Sequence, residues 1–147
     1  MDVKVKIRRY DPDIESPVSY WEEFSLAVPE TATVLDALIQ IREDMDGTLS
    51  LRCSCRSAIC GSCAMRVNGH AVLACQTKAS ESLDSEGIIT VEPAGVMPVM
   101  KDLVVNFDPF WEKIRTVEPY LQPEGPEPEG EYIASNESML HLSGVTA

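Results

Sequence analysis

Four of the chain's five cysteines fall within eleven positions, in the run CSCRSAICGSC from Cys53 to Cys63. The fifth, Cys75, follows twelve residues later, across an Asn68–Gly69 pair. No other feature restricts the fold as strongly. A reactive thiol every few residues in a loop of Ser, Ala and Gly is poor core material, so the spacing asks for a bound group. Five is an odd number, which argues against a closed disulfide framework. The N-terminal run MDVKVKIRRY has no apolar signal region and reads as a strand, so a reducing, cytoplasmic setting is expected.

Taken as Cys55, Cys60, Cys63 and Cys75, the pattern is C-x4-C-x2-C-x11-C. Its first three members have the spacing of plant-type [2Fe–2S] sites. The fourth is placed by geometry. Asn-Gly between short apolar runs, AMRV and HAVLAC, is a strong hairpin signal. A two-residue turn there pairs Val67 with His70 and sets Cys63 opposite Ala74, one position from Cys75. Facing residues in a hairpin lie about 5 Å apart. Two thiolates at that separation can share one iron, and Cys55 and Cys60 on the preceding loop can hold a second. Four thiolates leave such a site net negative. The small residues Ser54, Ser57, Ala58, Gly61 and Ser62 let backbone N–H groups approach the sulfurs and offset that charge. Three other readings use the same residues. They are a zinc site, although only one C-x2-C knuckle is present, a redox dithiol at Cys60 and Cys63, and plain buried cysteines. Cys53 is left over and reads as a small loop residue, and His70 as a surface residue just past the turn.

Around this loop the patterning is regular. Val3, Val5 and Ile7 alternate with Lys4, Lys6 and Arg8, and Phe24, Leu26 and Val28 alternate likewise over residues 20–28. The turn-rich stretch DPDIESPVS joins them. Thr33 with Asp36 forms a capping-box signature, followed by Val34, Leu35, Leu38, Ile41 and Met45 at helical spacing and a stop at Asp46–Gly47. IITVE, 88–92, is a further strand. Residues 99–107 and 109–117 read as helical, the second with Asp108 as N-cap and Pro109 at its first position. Trp21 and Trp111 read as core or interface anchors, and Met45, Met65, Met97 and Met100 as packing residues. QPEGPEPEGE, 122–131, cannot bury a core and reads as a linker, and the final residues are mildly helical. The expected class is α+β: a β-grasp domain over 1–96, a helical segment over 97–121, and a Pro/Glu-rich linker with an extended tail over 122–147.

Charge removes some functions. With 12 basic against 24 acidic side chains, net −12, the chain lacks the cations needed to neutralise nucleic-acid phosphates. No apolar run reaches the roughly 18 residues of a membrane span.

The stretch CSCRSAICGSCAMRVNGHAVLACQTK resembles the N-terminal half of the iron–sulfur subunit of succinate dehydrogenase and fumarate reductase. So does MPVMKDLVVNFDPFWEKIRTVEPYL, 97–121, just beyond that subunit's first domain. The resemblance runs in order over most of residues 3–122. It implies a ferredoxin-like β-grasp with Cys55, Cys60, Cys63 and Cys75 as ligands of one [2Fe–2S] cluster. It further implies docking on a flavoprotein subunit with covalent FAD that oxidises succinate or reduces fumarate, and one-electron transfer from flavin towards quinone. The subunit itself would be non-catalytic. Family members continue into a helical domain with further iron–sulfur centres near membrane-anchor subunits, and no cysteine follows Cys75 here. Either the chain is a fragment or the remaining clusters sit on another polypeptide; a fragment is expected, because SNESMLHLSGVTA resembles the segment leading into the second cysteine cluster, with the complex on the inner face of the plasma membrane. A stand-alone [2Fe–2S] ferredoxin is the alternative.

Overall fold

A computed structural model describes residues 1–120, 122, 125, 126, 129–131 and 133–143. The remaining positions of the expected linker and tail, 121, 123, 124, 127, 128, 132 and 144–147, lie outside the described residues, as do the side chains of 142 and 143. Two compact units divide the chain, Met1–Lys113 and Ile114–Ala147.

The first unit is built on strict alternation. β1 (Asp2–Arg9) buries Val3, Val5 and Ile7, and β2 (Tyr20–Ala27) buries Phe24 and Leu26 against it. The two pair antiparallel from Asp2↔Ala27 to Arg9↔Tyr20. α1 (Val34–Gln40) starts where the capping box places it. Thr33 Oγ1 accepts from Asp36 N–H at 3.2 Å, and Asp36 Oδ2 accepts from Thr33 N–H at 3.0 Å. Reciprocal capping of this kind stabilises a helix start by about 1 kcal/mol. One turn of π-helix, Ile41–Met45, extends α1 to Asp46. β3 (Ala64–Val67) and β4 (His70–Leu73) form the expected hairpin with Val67 opposite His70. Asn68 and Gly69 carry it at φ +49° and +80°, the left-handed region that a two-residue turn of this hand requires.

β5 (Ile88–Glu92) runs parallel to β1 and antiparallel to β3, so the five-stranded mixed sheet has the order β2-β1-β5-β3-β4. Val34, Leu35, Ala37, Leu38 and Ile41 share one core with Val5, Ile7, Met65, Ile89 and Val91. Each Val, Leu, Ile or Met among them contributes about 1.5–3 kcal/mol on burial. This is the β-grasp arrangement.

Past the sheet the structure departs from the sequence pattern. Residues 99–107, expected as helix, form a small antiparallel ribbon of β6 (Val99–Lys101) and β7 (Val104–Val105). Three β-branched residues favour strand here, and Asp102 takes φ +46° at the turn, which no α-helix admits. α2 (Asp108–Val117) is present as expected, but Asp108 is its first residue and not its cap. Phe107 O accepts from Phe110 and Trp111 N–H, both at 3.0 Å, and Asn106 Oδ1 accepts from Asp108 N–H at 2.8 Å. None of its residues is buried, so the stripe of Phe110, Trp111, Ile114 and Val117 is no core face. Trp21 is also exposed and lies beside Lys6 and Arg8, each 5.7 Å from its ring centroid. Of the methionines, Met65 packs in the core, whereas Met45 and Met100 are exposed.

In the second unit, α3 (Asn136–Ser143) is opened by Ser135, whose Oγ accepts from Ser138 N–H at 3.1 Å. No described helix is long and apolar enough to cross a membrane.

Candidate metal centre

The cysteine loop leaves the core through residues 49–53 and returns to it at Cys63. Between these points the backbone takes positive φ three times, at Arg56 (+55°), Ala58 (+57°) and Gly61 (+71°). Two of the three carry a Cβ, at a cost of about 1–2 kcal/mol each. The conformation turns successive amides inward. Ser57, Ile59 and Cys60 N–H all donate to Cys55 Sγ, at 3.4, 3.4 and 3.3 Å, and Cys55 N–H donates to Cys60 Sγ at 3.5 Å. The Ser62 hydroxyl lies 3.0 Å from Cys60 Sγ. Backbone donors of this kind offset the negative charge that a bound cluster would place on its sulfurs.

The acidities follow. The Ser62 hydroxyl, followed by the Cys55 and Ser62 amides, pulls the Cys60 thiol down to about 6. Burial pushes Cys63 up. The Cys75 amide works against that shift, and the adjoining Cys75 thiol adds to it. Cys63 is buried, Cys55 and Cys75 are half-buried, and Cys60 is exposed.

Two pairs result. Cys55 and Cys60 exchange N–H···S contacts within the loop. Cys63 and Cys75 adjoin at the open end of the β3–β4 hairpin, where Ala74 N–H donates to Cys63 O at 3.2 Å. Among the described residues no three Cys, His, Asp or Glu side chains gather as ligands of one ion. Two thiol pairs, one of them lined with amide donors, are the donor chemistry that a two-iron cluster needs, so the residues present fit it. Cys53 packs against the core beside Leu51 and makes none of the sulfur contacts, and His70 is exposed on the hairpin.

The comparisons with known proteins agree with this chemistry. A family described as the 2Fe-2S iron–sulfur cluster binding domain matches residues 4–112. The chain belongs to this family. Its cofactor is a [2Fe–2S] cluster. The chain is 39% identical over 132 residues to the fumarate reductase iron–sulfur subunit of Mycobacterium tuberculosis, a match covering 88% of this chain and 52% of that protein. It is 39% identical over 145 residues to the succinate dehydrogenase iron–sulfur subunit of Paracoccus denitrificans, covering 97% and 54%. A chain of the Mycobacterium smegmatis Sdh1 complex in its apo form superposes with a TM-score of 0.75 at 29% identity, over 92% of this chain and 54% of that one. This 2Fe-2S domain protein thus spans about half the length of the curated relatives it matches.

A buried charge cluster, which the sequence patterning above does not single out, joins β1 to the turn of the β6–β7 ribbon. Arg9 and Asp102 are both nearly inaccessible and pair at 2.9 Å through Arg9 Nε. Arg9 also bonds Glu22, Asp46 at 2.6 Å and Thr48 at 2.9 Å. The signal was there in the alternation: position 9 has the same inward parity as Val3, Val5 and Ile7, so an arginine at that position needs buried acids.

Proposed function

We propose that Cys55, Cys60, Cys63 and Cys75 are the cluster's four protein ligands, one iron held by Cys55 and Cys60 and the other by Cys63 and Cys75. The observation that carries this is the set of four N–H···S contacts on Cys55 and Cys60 beside the adjoining Cys63–Cys75 pair. Bound there, the [2Fe–2S] group supplies one-electron redox chemistry. The protein's part is to hold the thiolates, aim amides at them and keep one pair against the core, which together set the potential.

The proposed role is the electron-transfer portion of a succinate dehydrogenase or fumarate reductase iron–sulfur subunit, linking a FAD-containing flavoprotein to quinone. The two 39%-identical relatives of that name support it, matched along nearly the whole chain. In this reading the catalytic step is assigned to the flavoprotein, and this subunit carries electrons only. The proposed division is a cluster domain over 1–96, a connecting segment over 97–121 and a lead-in over 122–147 to a second domain with further clusters. In that setting the subunit sits on the cytoplasmic face of the membrane beside its anchors.

Anaerobic reconstitution tests the site. Two irons and two sulfides per chain are expected, with a visible charge-transfer spectrum that Cys60→Ser alters or abolishes. One zinc per chain, with no iron taken up, would refute the reading. Co-purification with a large flavoprotein distinguishes the complex subunit from a free-standing carrier.

A further inference from the structure

We infer that Asp102 and Arg52 are positioning residues for the cluster, through a clasp formed by the β6–β7 ribbon on the segment that starts the cysteine loop. This rests on the ligand assignment proposed above.

The segment 49–53 is two-sided. Leu49 is buried, and Leu51 and Cys53 pack on the core. Ser50 and Arg52, on the opposite parity, are taken by the ribbon. Ser50 N–H donates to Asp102 Oδ2 at 2.9 Å, and Ser50 O accepts from Leu103 N–H at 3.2 Å. Arg52 Nη1 donates to Val105 O at 3.1 Å, and its guanidinium lies over the Phe107 ring, 5.7 Å from the centroid. The ribbon is in turn tied to the sheet. Asp102 Oδ1 accepts from Arg9 Nε at 2.9 Å and from Tyr10 N–H at 3.1 Å, and Asp102 N–H donates to Tyr10 O at 2.9 Å.

The consequence is a division of support. Cys63 and Cys75 are carried by the β3–β4 hairpin. Cys55 and Cys60 are carried by a loop whose upstream anchor is this clasp, at Ser50 and Arg52, five and three residues before Cys55. The span between the two sulfur pairs, and the direction in which the loop amides point, therefore depend on contacts that never touch the metal. This also accounts for the positive φ at Asp102: the turn conformation lets one carboxylate reach β1 with one oxygen and the lead-in with the other. It gives Cys53 a role as well, as the last inward-facing residue of the held segment.

The test uses Arg52→Met, which keeps the stem and loses the donor, Phe107→Leu, which keeps every charge, and Asp102→Asn. Two readouts are taken on the full chain: amide hydrogen exchange over residues 53–60 before iron is added, and the EPR spectrum of the reduced reconstituted protein. Losing one such hydrogen bond is expected to speed exchange over 53–60 about three- to tenfold. Amides of β1 and β5 should be unchanged in Arg52→Met, and its EPR g-values should move. Phe107→Leu should act in the same direction, more weakly, which separates geometry from charge. Loop exchange within twofold of the parent in all three variants, with unmoved g-values, would overturn the clasp. A parent chain that takes up no iron would overturn the ligand assignment instead. The two failures are distinct because exchange is read on the cluster-free chain.

Discussion

Replacing Arg9 by methionine should cost far more than an arginine usually does. Arg9 is only 4% exposed, and its guanidinium faces three carboxylates, those of Asp102, Asp46 and Glu22. The partners are not equal. The Glu22 and Asp46 side chains retain 39% and 22% exposure and can turn to water, so their loss is worth little. Asp102, at 2%, cannot. Without Arg9 it keeps two backbone donors, from Tyr10 and Ser50, and an uncompensated buried charge. Breaking a buried pair from one side costs about 3–5 kcal/mol, which for a domain of this size lowers Tm by more than roughly 10 °C. Adding Asp102→Asn to Arg9→Met removes the orphaned charge and keeps a residue that tolerates positive φ. The double variant should recover about 1–2 kcal/mol relative to Arg9→Met alone. Urea denaturation followed by circular dichroism measures both. A loss below about 1 kcal/mol for Arg9→Met, or singles that simply add in the double, would refute the reasoning.

Asn68→Ala should destabilise the chain by about 2–3 kcal/mol. Its side chain donates to Ser82 O at 2.7 Å and accepts from Thr90 N–H at 2.8 Å, joining the hairpin to β5, and its φ is +49°. Asn68→Gly should recover only the backbone part, as read by urea melts. Acid should act through Asp46. The Thr48 hydroxyl, together with Arg9, pulls its pKa from 3.8 to about 2, so its contribution is complete above pH about 4 and is lost as pH falls towards 2. The denaturation midpoint should drop across that window, and Asp46→Asn should flatten the drop.

The sheet, α1 and the hairpin were legible because each has a local cause: alternation in Val3–Ile7, the Thr33–Asp36 box and the Asn68–Gly69 turn. So was the approach of Cys63 to Cys75, since hairpin register is a property of the chain itself. The ribbon at 99–107 was not, because what makes it a ribbon is tertiary. Asp102 turns the chain back in order to bind Tyr10, Ser50 and Arg9, which are remote in sequence. Trp111, read as a core or interface anchor, is exposed: its spacing with Ile114 describes a face, and spacing cannot say whether the chain itself covers that face. The N–H···S contacts were anticipated in kind from the small residues, but Arg56 and Ala58 at positive φ give no signal in a sequence, where only Gly61 advertises that conformation.

The most direct measurement is EPR on the reduced, reconstituted chain, with each of its five cysteines changed singly to serine. Altered or lost [2Fe–2S] signals are expected for Cys55, Cys60, Cys63 and Cys75, and g-values and iron content close to the parent's for Cys53. A parent-like spectrum from any of the first four, or loss of the cluster in Cys53→Ser alone, would contradict the ligand assignment.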